Sequence, residues 1–129
     1  MIYLDSSAVV KLVHLEAEST ALRTWLAAHP MPLVASSLVR TEAARALLRH
    51  DPGALLALAP VLSTIHKRPV TESILEAAAR LPEPTLRSLD AIHLATAEDF
   101  RPILSWFIAY DVRLAKVAEE RGLPVVRPV

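Results

Sequence analysis

Ile2-Tyr3-Leu4-Asp5-Ser6-Ser7-Ala8 sets the architecture of this chain. The apolar run of three residues suits a strand and is too short for a helix. Asp5-Ser6-Ser7 then supplies capping side chains, so a helix follows at once, continuing from Ala8 to Leu15. A strand with no polar alternation is buried on both faces. That environment belongs to a parallel sheet covered by helices on either side.

The same unit recurs along the chain. Glu16 to Ala28 predicts a second helix, with Ala21, Leu22, Trp25 and Leu26 on one face. His29-Pro30-Met31-Pro32 breaks it, Leu33-Val34-Ala35 is a second strand, and Ser36-Ser37 caps a helix from Leu38 to His50. Asp51-Pro52-Gly53 ends that helix. Ala54 to Thr64 is helical again, with Pro60 near its end or kinking it. His66 to Val70 predicts a third strand, and Thr71-Glu72-Ser73 starts a helix through Leu81. After the loop Pro82-Glu83-Pro84, Ser88 to Asp99 reads as a helix apolar on nearly every side, hence buried. Ile103 to Tyr110 reads as a central strand, Asp111 to Arg121 as a helix closed by Gly122, and Pro124 to Val126 as a last strand. Strands alternating with helices predict an α/β fold, three layers deep (α/β/α), around a mainly parallel sheet of four to five short strands. The expectation is a single domain over residues 1–129.

Composition narrows the function. Fourteen Lys and Arg balance fourteen Asp and Glu, so bulk charge gives no support for a nucleic-acid partner. It leaves room for one, because an acidic site needs basic residues only around its rim. The absence of cysteine excludes disulfides and thiolate–zinc sites and fits a reducing cytoplasm. Met1-Ile2-Tyr3-Leu4-Asp5 has no basic stretch ahead of an apolar one, so it is not a secretory signal. Gly53 to Leu62, the longest apolar stretch, contains Pro60 and is too short to cross a bilayer. A soluble cytoplasmic protein with no membrane partner is expected.

In an open α/β sheet, ligands bind beyond the carboxyl ends of the strands. Four acids reach that edge by topology: Asp5 and Asp111 at strand ends, Glu42 one turn into the helix after the second strand, and Asp90 near the start of the buried helix. Each has an ordinary explanation too. Asp5 and Asp111 can cap the helices behind them. Asp90 can favour a helix dipole, and Glu42 can pair with Arg45. Together they point elsewhere. Crowded carboxylates repel one another unless a cation sits among them. Oxygen-only donors suit Mg²⁺, with Mn²⁺ as a substitute. Such an ion acidifies a water and stabilises charge on an attacked phosphate, which is the chemistry of phosphodiester hydrolysis.

Three segments then carry a family resemblance. Ile2-Tyr3-Leu4-Asp5-Ser6-Ser7-Ala8, Thr41-Glu42-Ala43-Ala44-Arg45 and Leu89-Asp90-Ala91-Ile92-His93-Leu94-Ala95-Thr96-Ala97 are similar to the motifs of PIN-domain nucleases, and of the VapC-like toxins among them. Ala109-Tyr110-Asp111-Val112-Arg113-Leu114, followed by Gly122-Leu123-Pro124-Val125-Val126, is a weaker fourth match. The resemblance covers the whole chain. It implies a PIN-like sandwich, Mg²⁺-dependent endoribonuclease activity, a homodimer, and inhibition by a VapB-like antitoxin whose C-terminal segment enters the acidic groove. It assigns Asp5, Glu42, Asp90 and Asp111 as the catalytic set. Asp5 and Asp90 would hold the metal, with Glu42 and Asp111 acting directly or through water. One departure stands out: Ala109 occupies a position where the family usually carries a threonine or serine hydroxyl.

Ser6, Arg40, Arg45, Arg87 and Arg113 lie close in sequence to the acids and are the candidate substrate contacts. His93 is expected to be a hydrogen-bonded core histidine rather than a base or ligand. Asp99 is a lesser candidate for the fourth acid. Trp25, Trp106 and Phe107 belong to the core or a dimer interface. The competing function is a catalytically silent PIN-like module that binds RNA or protein, a reading supported only by Ala109. A phosphoaspartate phosphatase would need an aspartate where Ser7 stands, and a receiver-type domain would need an acid pair after the first strand.

Overall fold

A computed structural model describes residues 1–129. The elements run β1 (Ile2–Leu4), α1 (Ser6–Val13), α2 (Ser19–Ala28), β2 (Leu33–Ser36), α3 (Val39–His50), a 3₁₀ turn (Pro52–Ala57), α4 (Leu58–Leu62), β3 (Ile65–Arg68), α5 (Glu72–Ala79), α6 (Ser88–Asp99), a second 3₁₀ turn (Arg101–Ile103), β4 (Trp106–Ile108), α7 (Val112–Glu120) and β5 (Val125–Val126). The five strands are all parallel, in the order β3-β2-β1-β4-β5. No helix is long and apolar enough to cross a membrane.

The side-chain alternation of the strands divides the core in two. Ile2, Leu4, Ala35, Ile65 and Ile108 face one layer, where they pack with Ala8, Val9, Leu22, Val39, Ala43 and Leu47 of α1, α2 and α3. Tyr3, Val34 and Phe107 face the other, packing with Leu94 and Ala97 of α6 and Leu114, Val117 and Ala118 of α7. Every residue of β1 is buried, as expected of a strand sandwiched between two helical layers.

Local chemistry moved several boundaries. Asp5, rather than a serine, caps α1, so the helix begins at Ser6. Ser19 Oγ accepts from the Glu16 N–H (2.8 Å) and donates to the His14 carbonyl (3.2 Å). This folds the residues before Ser19 into a bend and delays α2. The helix expected over Ala54–Thr64 is a 3₁₀ turn followed by α4, in which Pro60 sits in the first turn where its missing N–H is harmless. β3 starts at Ile65, paired with Leu33, and stops at Arg68 before Pro69, which has no N–H for the ladder. The strand expected over Ile103–Tyr110 shrinks to Trp106–Ile108. Pro102 helps form a turn on one side, and on the other the Tyr110 N–H bonds the Ser7 hydroxyl instead of a neighbouring strand. Leu89 is also exposed, so α6 is buried on fewer sides than its composition suggests.

Candidate active site

The strand order reverses at β1: β2 and β3 lie on one side of it, β4 and β5 on the other. The crevice beyond the carboxyl ends of β1 and β4 is therefore the topological switch point of the sheet. Asp5 follows β1 and Asp111 lies just past β4, one on each side of it. Glu42 and Asp90 occupy the first turns of α3 and α6.

A continuous set of contacts joins the four. The Ser7 hydroxyl donates to Asp5 Oδ1 (2.6 Å) and accepts the Tyr110 N–H (2.9 Å), tying the end of β1 to the residue before Asp111. Arg87 Nη2 donates to Asp111 Oδ2 (3.1 Å), and its Nε donates to Asp90 Oδ2 (3.1 Å). One turn beyond Asp90, His93 Nε2 donates to Glu42 Oε1 (2.6 Å). Ser6, adjacent to Asp5, donates to the same Glu42 oxygen (2.6 Å).

The oxygens follow a pattern. Asp5 Oδ1 also accepts the Ala8 N–H (3.0 Å), and Asp111 Oδ1 accepts the Leu114 N–H (2.9 Å), so both acids do cap their helices. The capping and site roles coexist because each uses a different oxygen. The hydrogen bonds to Asp5 all fall on Oδ1, and those to Glu42 all fall on Oε1. The second oxygens of Asp90 and Asp111 are the ones Arg87 holds.

Electrostatics agree with that geometry. Burial pushes the Asp5 carboxyl from its ordinary 3.8 up to about 6, and the nearby Asp90 charge adds to the rise, against the lowering effects of His93, Ser7 and the Ala8 N–H. Burial also acts to raise Glu42, but the hydrogen bond from His93, with help from Ser6 and Arg87, outweighs it and holds this carboxyl below its usual range. The Arg87 guanidinium is raised by its bonds to Asp90 and its attraction to Asp90, Asp111 and Glu42.

No group of three acids or histidines is arranged to hold a metal ion as the side chains stand. The donors nonetheless fit a hard cation. They are all carboxylate oxygens, two acids keep an oxygen with no protein donor, and a guanidinium already neutralises the other two. Mg²⁺ usually requires only one or two protein carboxylates, the rest of its shell being water or phosphate.

The candidate substrate contacts divide. Ser6 and Arg45 line a groove of about 840 Å³ that leads away from Glu42 along α1 and α3 and also includes Arg49 and His50. Arg87 lies among the acids, its side chain 66% exposed. Arg113 and Lys116 line a second cavity, of about 730 Å³, between α7 and the loop at Glu83-Pro84-Thr85. Arg40 is exposed on α3 and lines neither. Asp99 is not part of the site; it pairs with Arg68 (2.7 Å). Phe107 is core, stacked on Tyr3, while Trp25 and Trp106 meet edge to face and are only partly buried.

Two residues at the site exceed what the sequence suggested. His93 is buried and hydrogen-bonded as expected, but its partner is an acid of the site. The sequence offers Ser7 as a helix-start side chain and as the place where an aspartate is missing; its hydroxyl in fact links Asp5 to the β4 end. Its spacing two residues after a capping aspartate was the available signal. Ala109 is wholly buried in the apolar layer beside Tyr3 and Phe107, so Ser7 provides a hydroxyl at this strand end that Ala109 does not.

Comparison with known proteins agrees with the fold. The PIN domain matches residues 2–120. The chain is 41% identical over 131 residues to ribonuclease VapC35 of Mycobacterium tuberculosis, covering 99% of this chain and 97% of that protein. Among solved structures it is similar to M. tuberculosis VapC20, a toxin that cleaves the sarcin–ricin loop (TM-score 0.80, 22% identity, covering 99% and 100% of the two chains). It is also similar to a chain of a toxin–antitoxin complex from Klebsiella pneumoniae (TM-score 0.74, 23% identity, covering 100% and 98%). The chain thus belongs to the PIN-domain family, among relatives named as VapC ribonucleases.

Proposed function

We propose that this chain is a Mg²⁺-dependent endoribonuclease and the toxin of a type II toxin–antitoxin pair. The observation that carries this reading is the set of hydrogen bonds that, with the chain neighbours Tyr110 and His93, gathers Asp5, Asp111, Asp90 and Glu42 at the switch point of the sheet. Asp5 and Asp90 would hold the cation, with Glu42 and Asp111 completing the site directly or through water. Bound there, Mg²⁺ or Mn²⁺ supplies an acidified water and stabilisation of the charge that builds on the attacked phosphate.

The protein's own groups do the rest. The Ser7 hydroxyl and Ala8 N–H fix the Asp5 carboxylate through one oxygen and leave the other without a protein donor. Arg87, when it releases the acids, stands where a phosphate next to them would meet a guanidinium. Arg45 extends positive charge along the groove beside Ser6, and Arg113 does so on the α7 side. The acidic centre thus has basic flanks, which reconciles a neutral chain with a polyanionic substrate.

Kinship with named ribonucleases supports RNA as the substrate, and a toxin–antitoxin complex built on this fold supports a VapB-like antitoxin as partner. An antitoxin segment carrying a guanidinium would compete for the acids that Arg87 holds. Homodimerisation and a cytoplasmic location complete the proposal.

Purified protein should cleave single-stranded RNA with Mg²⁺ or Mn²⁺ and stop in EDTA. Asp5→Asn and Asp90→Asn should each abolish cleavage with the fold intact by circular dichroism. Full activity in both variants would exclude this site.

A further inference from the structure

Glu42 meets the site with one oxygen already saturated. Its Oε1 accepts from Ser6 Oγ and from His93 Nε2, both at 2.6 Å, and a carboxylate oxygen has two lone pairs to offer. Behind Glu42, the imidazole is held on its other nitrogen. Tyr3 Oη lies 2.8 Å from His93 Nδ1, and both residues are essentially without solvent contact. Tyr3 belongs to the central strand and stacks flat on Phe107, with ring centroids 5.4 Å apart, so its hydroxyl has a fixed origin.

The hydrogens can be assigned from the partners. An ionised Glu42 only accepts, so Nε2 carries the hydrogen that bonds it. In the neutral imidazole Nδ1 is then the acceptor, and the Tyr3 hydroxyl donates to it. In this arrangement each hydrogen bond along Tyr3–His93–Glu42 joins one donor to one acceptor, and Glu42 Oε2 alone is left without a protein partner. Reversing the tautomer would leave Glu42 facing a lone pair.

We infer that His93 is a positioning residue for Glu42. With Tyr3 behind it, His93 fixes the carboxylate rotamer so that Oε2, and not Oε1, is presented to the cation site. A histidine that merely fills the core needs any hydrogen-bond partner, and a backbone carbonyl would do. Here the partner is a candidate catalytic acid, reached across 51 residues of chain and shared with the serine beside Asp5. Groups that orient metal-binding side chains in this way change metal affinity by about 10- to 100-fold when removed.

The inference uses the nuclease reading only for what the cation does, so it is tested on Mn²⁺ binding without RNA. Mn²⁺ affinity is measured by electron paramagnetic resonance for the wild-type chain, His93→Leu, His93→Gln, Tyr3→Phe, Glu42→Ala and the double variant His93→Leu/Glu42→Ala. His93→Leu should weaken binding by about 10- to 100-fold. His93→Gln, which keeps an N–H donor, should recover part of the loss. In the Glu42→Ala background, His93→Leu should weaken binding no further. If His93→Leu does not fold, Tyr3→Phe removes only the hydroxyl at the far end of the line and should weaken Mn²⁺ binding by a smaller factor, again only when Glu42 is present. Long-range ¹H–¹⁵N spectra of the metal-free protein should show the His93 hydrogen on Nε2.

A His93→Leu variant that melts earlier but binds Mn²⁺ normally would reduce His93 to a packing residue. So would an equal loss with and without Glu42, or a hydrogen found on Nδ1. Each of those results leaves the nuclease reading intact. A wild-type protein that binds no Mn²⁺ would defeat both.

Discussion

Arg87 bridges Asp90 and Asp111, with Nε 3.1 Å from Asp90 Oδ2 and Nη2 3.1 Å from Asp111 Oδ2. The two acids come from different elements, α6 and the end of β4, and the arginine is the cation between them. It therefore competes with any metal ion for the same oxygens. Both ion pairs are exposed on the arginine side, so solvent screens them and each is weak. Replacing Arg87 with alanine should tighten Mn²⁺ binding by about two- to fivefold while raising the KM for RNA, because the phosphate loses a partner. Calorimetric titration and steady-state cleavage on the same preparations check both. Weaker metal binding in Arg87→Ala would mean that the arginine organises the acids instead of competing for them.

Asp5 should make the metal-free protein less stable at neutral pH. Its carboxyl is raised in the fold from 3.8 to about 6. The folded state then holds its proton more tightly than the unfolded chain, and stability falls as pH rises through that window, by about 3 kcal/mol in total. Asp5→Asn keeps a cap acceptor and removes the buried charge. In EDTA it should melt above the wild type at pH 7.5, and the gap should close at pH 3.5. Calorimetric melts at the two pH values test the sign. A wild type that melts above Asp5→Asn at pH 7.5 would reverse it.

Ser7 carries a demand unusual for a helix-start serine. Ser7→Ala leaves the Tyr110 N–H without its partner and Asp5 with the Ala8 N–H as its one remaining donor, at about 1–3 kcal/mol of stability. Cleavage should fall by about tenfold or more. Restoring the hydroxyl common in the family should not help. Ala109 is fully buried among apolar side chains, so Ala109→Thr overpacks the layer and should lose about 1–3 kcal/mol. Urea melts of the two variants, with cleavage rates for Ser7→Ala, distinguish a site role from simple destabilisation.

The basic flanks predict a salt effect. If Arg45 and Arg113 each touch one phosphate, replacing either with alanine should flatten the slope of log affinity against log salt by about 0.7 for single-stranded RNA. Fluorescence anisotropy with Asp90→Asn as the uncleaving background measures it. A slope unchanged by Arg45→Ala would mean that the groove along α3 is not on the path of the RNA.

Much of this was legible in the chain itself. Ile2-Tyr3-Leu4 announced a doubly buried strand because none of its three side chains is charged and all are bulky and largely apolar, and β1 lies at the centre of the sheet. The carboxyl-edge rule brought Asp5, Glu42, Asp90 and Asp111 into one neighbourhood before any coordinates. Hydrogen-bond choices were less visible. Tyr110 resembles a strand residue by composition, but its N–H is diverted to Ser7, a partner 103 residues away that no local pattern reveals. The contact between His93 and Glu42 depends on the packing of α6 beside α3, so the sequence could give its burial but not its partner. Arg40 and Arg45 looked equivalent because both flank Glu42. Helix phase separates them: Arg45 turns into the groove and Arg40 lines neither cavity.

The central claim is that carboxylates from four parts of the chain share a cation. Crystals soaked in Mn²⁺ and measured at the manganese edge locate that ion without reference to activity. The account predicts an anomalous peak at about 2.0–2.3 Å from a carboxylate oxygen of Asp5 and of Asp90, with the Arg87 guanidinium displaced from Asp90 and the peak lost in Asp90→Asn. A fully loaded crystal with its only peak elsewhere, or none at all, would contradict it.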